Sequence, residues 1–320
     1  MRRITAGIVI IIIILSVLLI SRFRPFRTGN KVFYVENTDR ISRILISGEK
    51  KSVELYRSQD GWHVNGEYPV RPGAMDFLLS TIRNIRIKSP VSDILYSDII
   101  ENKSTRHIEV QVYKKRRLVQ SFHIYLNMDE EYPGIMQKSE RTKPFTMHLP
   151  GYDTDPCLHF VPESKFWMPL TVFDLRPERI SEIHMHYFES PDSSFSLERH
   201  GGEIKIISEE HTGVAADTMA AVRYFSYFTW VPMQEWVYDI AQERKDSIVD
   251  GKRYFSLEVI TGDPDTLELS TYTMMRREGD SLVNDTDRLW GSLNRGEDLF
   301  IVRYYDLDPL IKGPSYFIYD

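Results

Sequence analysis

The chain has 320 residues, 42% hydrophobic and 27% charged, a balance that excludes a disordered polypeptide and leaves room for two ordinary domains. A formal net charge of −6 offers no basic face for a phosphate backbone and excludes nucleic acid as a partner. The one cysteine, Cys157, excludes an internal disulfide and a cysteine-rich metal centre, and reads as a lone buried thiol.

The first thirty residues differ from the rest. After Arg2 and Arg3 the chain runs uncharged from Ile4 to Ser21, 18 residues rich in isoleucine. As a helix this run is about 27 Å long, near the apolar thickness of a bilayer. A cleavable signal peptide has a shorter apolar core ending in small residues, whereas this run meets Ser21-Arg22-Phe23-Arg24-Pro25. Residues 1–30 therefore read as an uncleaved single-pass anchor with a basic flank, contacting membrane lipid through residues 4–21. Arg2 and Arg3 on one side, against Arg22, Arg24 and Arg27 on the other, leave its orientation open.

From residue 31 the chain writes one pattern twice. Val32-Phe33-Tyr34-Val35 returns as Val172-Phe173-Asp174-Leu175, and RISRI at 40–44 returns as RISEI at 179–183. VELYRSQDGWHV at 53–64 aligns with FSLERHGGEIKI at 195–206, placing Leu55 over Leu197 and Arg57 over Arg199. Asp60-Gly61 and Gly201-Gly202 then mark equivalent hairpin turns. Helical spacing follows over Ala74–Ile87 (Phe77, Leu78, Ile82, Ile85) and over Asp217–Thr229 (Met219, Val222, Tyr224, Phe225, Phe228). Pro90-Val91 and Val231-Pro232 suit the stop of each helix. Strand pairs come next, His107–Tyr113 with Leu118–Leu126, and Tyr254–Ile260 with Thr266–Met274. Between the first two lies Lys114-Lys115-Arg116-Arg117, read as a solvated hairpin turn. Each copy closes on YDxDP, at 152–156 and again at 305–309.

Each copy thus reads β-β-β-α-β-β-β-β, which predicts an α+β fold: two tandem, mainly antiparallel β units with one principal helix each, after an N-terminal transmembrane helix. The domains are 1–30, 31–160 and 161–320. In the two YDxDP segments the carboxylates Asp153, Asp155, Asp306 and Asp308 are too few for a calcium loop, and Asp155 and Asp308 read as caps of a proline-led helical turn.

His184-Met185-His186 puts two imidazoles on one strand face at a spacing that can ligate a metal. A third ligand would have to come from His200, His211, Glu189 or Asp192. The competing reading, exposed strand histidines beside Glu182 and Glu189 with Ile183, Met185 and Tyr187 inward, is favoured, so no metal and no cofactor is assigned. No nucleophile elbow, zinc-protease helix or phosphate loop is written in the chain, and no catalytic residue is named. Trp62 reads as core. Trp167, Trp230 and Trp236 read either as core or as an exposed cluster near the domain junction that binds a partner or glycan.

The segments VFYVENTDRISRILI, VELYRSQDGWHVNGEYPVRP, FDLRPERISEI, SFSLERHGGEIKI and DRLWGSLNRGEDLFIVRYYDLDPLIKG resemble a family of Bacteroidota-type bacterial envelope proteins known only as a domain of unknown function, over roughly residues 31–318. Gly61-Trp62-x-Val64-Asn65 and Tyr304–Leu310 are its most recognisable parts. The resemblance implies a cytoplasmic amino terminus in the inner membrane and a periplasmic body. It also implies auxiliary roles beside gliding or ABC-type export machinery, and it implies no catalytic residues. The expected function is a non-enzymatic, membrane-anchored binding or scaffolding subunit with envelope protein partners. The alternative is a cell-wall glycan-binding protein or hydrolase with a cleft between the repeats, drawing on Asp174, Glu178, Glu235 and Asp239. A third reading is a spacer between the membrane and another layer.

Overall fold

In the computed structural model, residues 32–101, 104–127, 132–262, 266–294 and 298–318 are described. The anchor expected at 1–30 lies outside them, and among the described residues no helix is long and apolar enough to cross a membrane. The chain divides into two compact units, Met1–Trp167 and Met168–Asp320, seven residues later than the division expected after residue 160.

The first unit runs β1 (Arg43–Ser47), β2 (Ser52–Arg57), β3 (Trp62–Val64), β4 (Tyr68–Pro69), α1 (Pro72–Asn84), β5 (Arg86–Pro90), α2 (Asp93–Glu101), β6 (Thr105–Lys114), β7 (Arg117–Asn127), β8 (Ile135–Gln137) and β9 (Phe145–His148). Its strands form one antiparallel sheet in the order β4-β3-β2-β1-β6-β7-β8-β9-β5. Alternation decides the inner face: Ile44, Ile46, Val53, Leu55, Val110, Val112, Phe122 and Ile124 are buried, and their neighbours in sequence are not. Phe122 meets Phe33 and Phe160 edge-on at 5.9 and 5.4 Å on this side. The stripe Met75, Leu78 and Ile82 of α1 is buried as well. Pro72 opens α1, and Ile85 is already extended, so the helix stops three residues short of the Ile87 expected. There the letters Ile85-Arg86-Ile87-Lys88 alternate, and the period of two prevails as β5 pairs with β9.

The opposite face of this sheet is covered too. Val91, Ile99 and Ile135 are buried together, with Leu95, Tyr96, Tyr125 and Tyr132 packed on them, so α2 sits over β7 and β8.

The second unit runs β10 (Thr171–Phe173), β11 (Ile180–Tyr187), β12 (Phe195–His200), β13 (Glu203–Ser208), β14 (Thr212–Ala215), α3 (Thr218–Ser226), β15 (Val231–Pro232), β16 (Glu235–Trp236), α4 (Gln242–Val249), β17 (Arg253–Thr261), β18 (Thr266–Glu278), β19 (Ser281–Leu293) and β20 (Leu299–Arg303). Its main sheet has the order β14-β13-β12-β11-β17-β18-β19-β20-β16, and β10 pairs separately with β15. Inward residues Ile183, Leu197, Ile206, Leu257 and Val259 meet Tyr224, Phe225 and Phe228 in one core. Asp217 caps α3, accepting from the backbone N–H groups of Met219 and Ala220. On the outer face, Ile248 of α4 packs with Tyr272, Leu299 and Trp290.

Position by position, the two nine-stranded orders are the same, with a principal helix after the fourth strand and a short one after the edge strand. Equivalent backbone bonds recur. Val35 N–H donates to Ile82 O at 2.9 Å, and Leu175 N–H to Phe228 O at 3.0 Å. Arg71 N–H donates to Trp167 O, and Asp217 N–H to Phe317 O, both at 2.8 Å. Beyond the expected pattern of three strands before the principal helix and four after it, each nine-stranded sheet has four before and five after, and each unit has a second helix (α2, α4).

Candidate functional site

One polar constellation lies on the outer face of β6 and β7. His107 and His123 stand diagonally across the pair, with Glu109 opposite His123 and Tyr125 opposite His107. Outward alternation puts all four on one face. His107 Nε2 lies 3.0 Å from His123 Nδ1, so the rings share one proton. His107 also stacks on Tyr125 at 5.0 Å, and Tyr96 of α2 meets Tyr125 edge-on while donating to Gln137 Oε1 at 2.7 Å. Burial, and then the neighbouring His123, hold the His107 imidazole below its ordinary pKa, against the opposing pull of Glu109, Glu49 and Glu140. Two imidazoles alone supply half of a tetrahedral zinc shell, and no group of three metal-ligating side chains is found among the described residues. Both histidines fall within or beside the strands read from sequence. Their pairing was recoverable from the hairpin register, the signal the sequence reading did not use.

A serine, a histidine and an aspartate also meet at the β2–β3 turn. Ser58 Oγ lies 3.1 Å from His63 Nδ1, and His63 Nε2 lies 3.4 Å from Asp60 Oδ2. Ser58 Oγ donates to Asp60 Oδ1 and also lies 3.1 Å from Gly61 O, so its proton is engaged within the turn. The Asp60 carboxylate is 77% exposed. This is a hydrogen-bonded hairpin turn, without the buried carboxylate–imidazole support that a nucleophilic serine requires.

The sequence candidates disperse. His184 bonds Ser196 Oγ at 2.7 Å and Glu182 Oε2 at 3.2 Å, whereas His186 packs edge-on against Phe188 at 4.6 Å. Ile183, Met185 and Tyr187 are buried beneath them. Of the possible third ligands, His200 bonds Glu198, His211 lies beside Ser208, and Glu189 pairs with Lys252. Asp174, Glu178, Glu235 and Asp239 are all exposed.

The two YDxDP segments part company. Asp155 caps the 3-10 turn Pro156–His159, accepting from Cys157 N–H at 2.9 Å and from Gly134 N–H at 2.6 Å. Asp308 does not cap a turn: the helical turn Tyr304–Leu307 starts directly after β20, and Asp308 is its C-terminal flank. There Asp306 takes the structural part, held in a two-pronged pair by Arg303. Cys157 is fully buried, and burial with Asp155 alongside pushes its thiol well up, out of the range of a nucleophile.

Of the tryptophans, Trp167 is 1% exposed and its indole donates to Val161 O at 2.9 Å, which removes it from any exposed cluster. Trp236 is half-buried, packed edge-on to Phe300 and donating to Pro169 O. Trp230 is 62% exposed. Trp62, expected in the core, is half-buried on the short strand β3 with the Arg57 guanidinium 6.0 Å over its ring. A shallow cleft of about 520 Å³ lies between the turn Thr38–Arg40 and α1, lined by Asp39, Asp76, Ser80, Arg83 and Asn84 among others.

Lys138 is the unusual cation. Its ammonium donates to Gln120 Oε1 and Ser121 O and lies over the Phe33 ring, and burial lowers its pKa to about 8. Gln120 in turn donates through Nε2 to Val32 O at 2.8 Å, fixing the point where the chain enters the first unit. Comparison of the chain with protein-family models, curated proteins and solved structures finds no match.

Proposed function

We propose that this chain is a non-enzymatic binding and scaffolding protein of the bacterial envelope. In this reading Ile4–Ser21 anchors it in the inner membrane with the amino terminus cytoplasmic. Two tandem copies of one antiparallel unit then stand in the periplasm as an accessory subunit of an envelope or transport assembly. The observation that carries the reading is the shared strand order of the two sheets, together with the recurring Val35/Leu175 and Arg71/Asp217 backbone bonds. The letter-level repeat and the resemblance to a membrane-anchored envelope family favour it independently. The polar clusters are compatible with it, because each is closed on itself within a turn or a strand face rather than converging on a cleft. Anchoring raises the effective concentration of such a scaffold for a second membrane component without any new contact.

Crosslinking in intact cells, followed by gentle solubilisation, tests this. The expected result is one stoichiometric partner that is lost when residues 1–30 are replaced by a cleavable leader. A chain that stays monomeric and partner-free in both forms contradicts it.

A further inference from the structure

We propose that the tip of the β6–β7 hairpin, Lys114–Val119, is a contact for the anionic headgroups of the membrane that holds the anchor. The inference rests on the anchored reading above and adds the surface by which the first unit faces the bilayer.

The tip carries four consecutive cations, Lys114, Lys115, Arg116 and Arg117, followed by Leu118 at 47% and Val119 at 36% exposure. None of the four makes an ion pair among the described residues, so their charge is available. Cations beside exposed aliphatic side chains suit a headgroup layer, where phosphates meet the charges and the apolar pair reaches the acyl boundary.

The fold does not require this composition. Lys115 adopts a φ of +55°, where a Cβ is disfavoured; the other described non-glycine residues in that region are both asparagines, Asn65 and Asn294. A lysine is therefore a poor choice for the turn itself. The equivalent connection in the second unit, between β17 and β18, reads Thr261-Gly262-Asp263-Pro264-Asp265-Thr266 and is acidic.

Placement supplies the second line. Gln120, whose side chain holds Val32 O, is three residues along β7 from Arg117, about 10 Å of strand. Between Ser21 and Val32 the chain can span at most about 40 Å, and that stretch adds Arg22, Arg24, Arg27 and Lys31. Register places the β8–β9 connection, with Arg141 and Lys143, at this same end, since Lys138 reaches Gln120. A bilayer at the anchor is thus within reach of the tip. The overall charge of −6 gives no general attraction to an anionic surface, so the contact depends on this end alone.

The test uses the full chain in nanodiscs of zwitterionic lipid, or of the same lipid mixed with phosphatidylglycerol, with amide hydrogen exchange read across residues 113–120. Protection is expected on the anionic discs only, and is expected to vanish at high salt. It is also expected to vanish in the variant Lys114→Gln, Lys115→Gln, Arg116→Gln, Arg117→Gln, whose exchange elsewhere should match the parent and so report intact folding. Each charge removed should weaken the contact about fivefold. Equal exchange on both discs, or protection that survives the variant, overturns the proposal. Protection that appears only on adding an acidic protein assigns the tip to a protein partner and overturns the lipid contact. Alkaline carbonate extraction separates the two readings. A chain released by carbonate ends the anchor and the tip contact together, whereas a retained chain with an unprotected tip ends only the latter.

Discussion

Asp155 and Asp308 occupy the same letter of a repeated pentapeptide, yet only the first is structural. Asp155 satisfies two backbone N–H groups, those of the buried residues Cys157 and Gly134, and its replacement leaves both unpaired. Asp155→Ala should cost about 1–3 kcal/mol of the first unit's stability, and Asp308→Ala about 0.5 kcal/mol or less, read as shifts in urea midpoint. Equal effects would contradict the assignment. The letters could show a cap preference at both sites; they could not show that β20 passes straight into a helical turn and so moves Asp308 to the other end of it. Lys138 gives a second residue-level test. With a pKa near 8 against an ordinary 10.5, its amine should be about half neutral at pH 8. Competitive trace acetylation across pH should therefore place its reactivity midpoint near 8; a midpoint near 10.5 would mean that the ammonium is well solvated. Nothing in the sequence marks Lys138, because its environment is assembled from Phe33, Gln120 and Ser121 on other segments.

Elements with one strong period were legible, and those that depend on docking were not. The long strands, both principal helices and the tight turns at Lys114–Arg117 and Gly201-Gly202 follow from alternation, a stripe or a turn residue, and the structure has each within a few residues. The helix α2 escapes because its isoleucines point both ways: Ile99 is buried while Ile94 and Ile100 are exposed. The helix α4 escapes because six polar residues precede Ile248 and Val249, so it shows almost no apolar stripe of its own. Both are held by the outer face of a sheet, an attachment that local pattern does not encode. The β6–β7 face also makes a pH prediction. Because burial and His123 depress His107 below 6.5, the unfolded chain binds more protons than the folded one as pH falls. The stability due to a neutral His107 is therefore complete above about 6.5 and is lost as pH falls through the depressed folded value. His159, lowered mainly by burial between Phe77 and Thr81, acts in the same direction. Urea midpoints should drop on acidification from neutral pH, and His107→Gln should flatten that slope relative to the parent. An unchanged slope would show that His107 is not buried as a neutral base.

At the scale of the molecule, the paired letters were the most readable feature of the sequence and chemistry the least. Matched letters such as RISRI and RISEI fall on or just before β1 and β11, strands at the same place in the two sheet orders, and the spacing between matched letters widens with the longer β18–β19 hairpin of the second unit. Trp167 closes the first unit by accepting from Arg71, as Phe317 accepts from Asp217 in the second. The polar groups that the fold gathers are either neighbours within one turn or strand, such as Ser58, Asp60 and His63, or cross-strand partners such as His107 and His123, whose meeting depends on register rather than on a motif. The central claim is that one nine-stranded unit has been used twice, each copy complete in itself. Backbone NMR on residues 32–167 and 168–318, prepared as separate polypeptides, tests it most directly. Both should fold alone, with cross-strand contacts between Ile44 and Val112 in the first and between Ile183 and Val259 in the second. A piece that is unfolded without the other, or a second piece with different strand neighbours, would contradict the account.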